Sequence, residues 1–132
     1  MKNGEMVQPR RDLPERTFEF ARRVVKLCRS LDQTPGVSRT LANQLLRSGT
    51  SIGANVEEGQ ASQSRADFIA KYSIACKEAR ETHYWLRLLV ASEVVRGLKL
   101  DELIDEANQL VAILTSIIKT ARKNSNKKKG EL

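Results

Sequence analysis

Chemically capable side chains are few in this chain of 132 residues: one histidine, His83, and two cysteines, Cys28 and Cys76. A Cys–His nucleophile pair needs the thiol within hydrogen-bond reach of the imidazole. Cys76 and His83 stand seven residues apart, which on a helix is about two turns and about 10 Å along the axis. No such pair is expected. Both cysteines sit among apolar neighbours and lack CxxC spacing, so they read as small buried hydrophobes rather than disulfide partners or metal ligands. Diiron bundles use Glu-x-x-His on two helices, whereas here Arg80 stands three residues before His83. The run Ser48-Gly49-Thr50-Ser51-Ile52-Gly53 is rich in small residues, yet it lacks a Gly-Lys-Ser/Thr ending and a preceding strand, so a phosphate-cradling loop is not expected. Zinc spacing, HExxH and GxSxG are also missing. The expectation is a non-enzyme without metal or cofactor.

Binding chemistry is better represented. The formal charge is +7, but residues 119–132 hold +5 of it and residues 1–11 hold +2, leaving 12–118 at zero. Arg122, Lys123, Lys127, Lys128 and Lys129 are the candidate contacts to RNA or DNA, because phosphate neutralisation by Lys and Arg dominates nucleic-acid affinity. The plain alternative is a solubilising tail. A second cluster, Lys77, Glu78 and Glu81 with Tyr84 and Trp85, admits two readings. It is either a recognition surface of hot-spot residue types or an ion-pair network facing Asn55, Glu57 and Glu58 of the preceding helix.

Four helical segments must position these residues. The first runs from about Asp12 to Leu31: Asp12-x-x-Glu15 reads as a capping box with Pro14 in the first turn. Phe18, Ala21, Val25, Cys28 and Leu31 form its apolar face, and Thr34-Pro35-Gly36 breaks it. The second starts with Ser38 as N-cap and ends at Gly59 as C-terminal cap. Gly49 and Gly53 on it let another helix backbone approach closely. The third begins at the cap Ser64-x-x-Asp67 and runs to about Val95 before Gly97; Lys77 and Glu81 are spaced to pair along it. The fourth starts at Asp101. Leu103, Ala107, Leu110, Leu114, Ile117 and Ala121 make a heptad seam, and Ile104, Val111 and Ile118 widen it enough for either a core or a subunit contact. Together these predict an all-α, antiparallel up-down-up-down four-helix bundle over residues 12–121. A flexible basic arm (1–11) and a disordered basic tail (122–132) flank it. No apolar h-region opens the chain and no run of about 18 apolar residues occurs, so a cytoplasmic protein without membrane contact is expected.

Gln44 to Gly59 (QLLRSGTSIGANVEEG), with Asp67 to Lys71 (DFIAK) and Ile74 to Leu86 (IACKEARETHYWL), resembles the bacterial 23S rRNA-intervening-sequence proteins. The similarity covers about residues 13–120. It implies a four-helix bundle assembling as a ring-like homopentamer. It also implies kinship with the accessory variability determinant of diversity-generating retroelements, a basic pentamer that binds a reverse transcriptase and nucleic acid. Some members of the family are encoded within insertions of the large-subunit rRNA gene, and none is established as an enzyme. Two functions follow as expectations. One is an assembly that binds nucleic acid, or an enzyme acting on it, through the basic end. The other is a protein-only adaptor that uses the Tyr84–Trp85 region.

Overall fold

The computed structural model describes residues 13–95 and 100–130, with side chains as far as Asn126. The arm 1–11, Asp12 of the expected capping box and Gly97 lie outside the described residues. Helices α1 (Leu13–Leu31), α2 (Val37–Gln60), α3 (Arg65–Ala91) and α4 (Asp101–Gly130) account for the described chain, which contains no strand. They pack as a bundle in which α2 touches α1 and α3 extensively, α3 touches α4, and α1 barely meets α4.

One apolar core runs through all four helices. Its largest fully buried members are Tyr72, Phe20, Leu13, Leu45, Ile52 and Leu86. On α1 the buried row is Leu13, Thr17, Phe20, Val24, Cys28 and Leu31, not the row beginning Phe18–Val25. Phe18 is 65% and Val25 37% exposed. Both rows satisfy spacings of three and four. The inner row is disguised by a polar member, Thr17, whose hydroxyl is satisfied by the Leu13 carbonyl at 2.9 Å.

The helix ends show why the chain turns where it does. Gly36, with φ +94°, leads into α2, a backbone region that glycine enters without penalty. Ser38 is not the N-cap of α2. It lies one residue inside the helix, and its hydroxyl donates to the Leu31 carbonyl at 2.8 Å, satisfying the exposed end of α1. Ser64 caps α3 as its spacing predicts, accepting from the Asp67 amide at 3.0 Å. α3 stops at Ala91, four residues short of Val95, because the chain closes a Schellman motif. The Val94 amide donates to Leu89 and the Glu93 amide to Val90, with Glu93 at φ 58°. α4 continues through 122–130, where the sequence reading sets a tail. No Gly or Pro interrupts it between Asp101 and Lys129, and Arg and Lys are good helix formers.

Glycines bring α1, α2 and α3 together. A Cβ on Gly49 would lie 2.8 Å from Val24 Cγ1, and one on Gly53 3.2 Å from Thr17 Oγ1. Gly59 is not a cap either. It is buried one residue before the end of α2, with the Tyr72 ring of α3 laid against it, so that a Cβ there would stand 2.6 Å from two ring carbons.

Candidate nucleic-acid interface

Arg47 of α2 sorts the charges of α3. Its guanidinium donates to Glu78 at 3.3 Å and pairs with Glu81, drawing both carboxylates to the α2 side. Trp85 Nε1 donates to the same Glu81 carboxylate at 3.0 Å. Glu78, Glu81 and Trp85 therefore belong to an ion-pair network, whereas Lys77 and Tyr84 stand outside it. The network's partner on α2 is Arg47, one helical turn after Asn43 and well before Asn55, Glu57 and Glu58. Glu58 instead pairs with Lys71 at 3.0 Å. Glu81 is held by Arg47 rather than by Lys77, four residues away on its own helix.

The other flank of α3 is cationic. Lys77 and Arg80 line a groove against Lys119 and Arg122 of α4, with a cavity of about 310 Å³ between them. All four are exposed, and among the described residues none has an acidic partner. Thr115, Cys76 and Ile118 form the floor, where Cys76 Sγ lies 3.4 Å from Thr115 Oγ1. Ser73 lines the same groove. Its Oγ is buried without a hydrogen-bond partner, a condition that costs about 1–3 kcal/mol when nothing compensates.

Of the candidate nucleic-acid residues, Arg122 lines this groove, and Lys123 is exposed on the next position of α4. Lys127, Lys128 and Lys129 lie on the helical backbone of α4, with side chains outside the described part. Tyr84 is 49% exposed. It meets Trp85 edge-on at 5.1 Å, and the Arg87 guanidinium stands 5.9 Å from its ring centre. Trp85 itself is half-buried. Gly49 and Gly53 face α1 inside the chain. Sequence reading missed Arg80, Lys119, Ser73 and Thr115 as parts of one site. The signal was present as two i, i+3 basic pairs, Lys77/Arg80 and Lys119/Arg122, on consecutive helices.

Cys28 and His83 do not line this groove. Cys28 donates to the Ala42 carbonyl at 3.3 Å; burial first, then the nearby Asp32 charge, push its thiol up to about 11. A neutral thiol is a poor nucleophile. His83 is half-buried, and desolvation, then Arg87, lower its pKa below the ordinary imidazole value. Among the described residues no group of His, Cys, Asp or Glu could hold a metal ion. No helix of the described chain is long and apolar enough to cross a membrane.

Fold and groove together define a small all-α bundle with a cationic groove between α3 and α4. Residues 12–116 match the 23S rRNA-intervening sequence protein family, and the chain belongs to it. A solved structure of a protein of unknown function from the S23 ribosomal protein family of Bacteroides thetaiotaomicron shares 44% identity and superposes with a TM-score of 0.74. That match covers 80% of this chain and 97% of the other. No curated protein matches the chain.

Proposed function

We propose that this protein is a non-enzymatic, cytoplasmic homo-oligomer, a pentameric ring of up-down-up-down bundles. It binds nucleic acid, or an enzyme that acts on nucleic acid, through the basic end of α4. The observation that carries this reading is the run of exposed cations Lys119, Arg122 and Lys123 on a helix that continues unbroken past Lys127–Lys129 to Gly130. A helix presents charge at fixed spacing, which a phosphate backbone can follow. Five copies on a ring would raise avidity without any base-reading element.

Several contacts favour the antiparallel arrangement. Cys28 meets Ala42 while a Gly49 methyl would meet Val24. Ser48 meets Thr82 while Lys71 meets Glu58. Each pair of contacts runs in opposite order along its two helices. Self-association is supported by the outer apolar stripe of Phe18 and Val25 on α1, beside Leu46 of α2 across a shallow pocket. Exposed apolar patches of this kind mark contact surfaces.

The second reading, a protein-only adaptor, draws on exposed Tyr84 with Arg87 beside it. Fluorescence anisotropy with a labelled single-stranded RNA separates the two. The nucleic-acid reading expects binding that weakens steeply with salt and is lost when Arg122, Lys123, Lys127, Lys128 and Lys129 are all replaced by Gln. Equal affinity for that variant would reject the role of the basic end.

A further inference from the structure

We infer that the α3–α4 groove is a phosphate-binding site. In it Lys77, Arg80, Lys119 and Arg122 hold the charge of a phosphodiester, and the Ser73 hydroxyl donates to one of its oxygens. The inference rests on the nucleic-acid reading above and gives it a location on the bundle itself.

Three observations converge on the groove. Arg47 holds Glu78 and Glu81 on the α2 side of α3, so the α4 side keeps its positive charge although the body of the chain is formally neutral. The four cations come from two helices and line one cavity of about 310 Å³, room for a phosphate group and several waters. Ser73 then supplies a neutral donor. Helix-borne hydroxyls in this protein habitually turn back onto their own helix: Thr17 to Leu13, Thr50 to Leu46, Ser51 to Arg47 and Thr82 to Glu78. That local bond is the usual refuge of a helical Ser or Thr. Ser73 makes no such bond, although its Oγ is buried, and it lines the cavity that the cations surround. A phosphate oxygen seated beside Ser73 in the groove would satisfy it with a charge-assisted hydrogen bond.

Exposed cations and a hydroxyl are the usual contacts to a phosphate backbone, which position a nucleic acid without reading its sequence. The groove's ligand is therefore a phosphodiester of any sequence.

The test uses the full chain and two probes, a labelled single-stranded RNA and inorganic tripolyphosphate. Arg80→Gln/Lys119→Gln should weaken RNA binding by about tenfold or more and flatten the salt slope by about 0.7 for each cation removed. Ser73→Ala should weaken it by about tenfold and leave that slope unchanged. Melting temperatures matching wild type would show that both variants fold, and Ser73→Ala alone suffices if the double variant does not. RNA affinity equal in wild type and in the folded variants overturns the groove while sparing the nucleic-acid reading. Tripolyphosphate binding that Ser73→Ala weakens, without RNA binding by wild type, supports the phosphate site and overturns the nucleic-acid reading. Neither probe binding overturns both.

Discussion

Replacing Gly59 with alanine sets helix propensity against packing. In an exposed helix interior the change stabilises by about 1 kcal/mol. At Gly59 the new methyl would stand 2.6 Å from both Cδ1 and Cε1 of Tyr72. That ring has nowhere to go. It is 1% exposed, stacked on Phe68 at 4.2 Å, and its hydroxyl accepts from Gln60 Nε2 at 2.7 Å. Overpacking a site of this kind costs about 1–3 kcal/mol, and breaking the Gln60 bond adds about 1 kcal/mol. With the propensity gain subtracted, Gly59→Ala should destabilise by about 1–3 kcal/mol. At about 4 °C per kcal/mol for a chain of this size, the melting temperature should fall by about 4–12 °C. Thermal unfolding followed by circular dichroism measures this, at one fixed protein concentration because assembly shifts Tm. Gly53→Ala is the internal comparison. Its methyl would meet Thr17 at 3.2–3.4 Å, a tight but passable contact, so its effect should lie within about 1 kcal/mol of zero. Gly49→Ala should fall between the two, because it meets Val24 at 2.8 Å and a β-branched side chain turns away only with difficulty. A Gly59→Ala protein that melts above wild type would refute the close-packing argument.

Three further outcomes are expected. Glu93→Gly should stabilise by about 0.5–1 kcal/mol, since Glu93 occupies the left-handed C′ position at φ 58° where glycine carries no Cβ penalty; denaturant midpoints read the change, and a lower midpoint contradicts it. The Cys28 thiol is raised from 9.0 to about 11 in the fold, so its contribution to stability is complete below pH 9 and is lost as pH rises from 9 to about 11. Cys28→Ala should therefore show a shallower alkaline loss of stability than wild type in urea titrations on the two sides of pH 9, and parallel losses would count against it. Phe18→Asp should lower the assembly state seen by light scattering while leaving helical content intact, because Phe18 is 65% exposed on α1 among the described residues; an unchanged mass would remove that face from the interface.

The four rods and the α4 seam were legible because apolar spacing is a local signal. Leu103, Ala107, Leu110 and Leu114 are buried on α4, as the heptad reading has them, and Ser64 caps α3. What escaped depends on partners distant in sequence. α1 carries two apolar stripes, and only packing against the α2 glycines decides that Thr17 goes in while Phe18 stays out. Gly59 resembles a cap until Tyr72, thirteen residues on, is laid against it. α3 ends at a left-handed Glu93, where composition offers no glycine to mark the stop. The groove was hidden for the same reason: net charge over 12–118 sums to zero, and only Arg47 reaching across from α2 reveals that Glu78 and Glu81 lie on a different flank of α3 from Lys77 and Arg80. Ser73 carries no sequence signal, being distinguished solely by a hydrogen bond it does not make.

Native mass spectrometry of the full chain with a short single-stranded RNA tests the central proposal, an assembled ring with nucleic acid on it, most directly. The expected species is about five times the 14.8 kDa chain, carrying RNA that is released as salt rises. A bare 14.8 kDa monomer, with RNA left free at low salt, would contradict it.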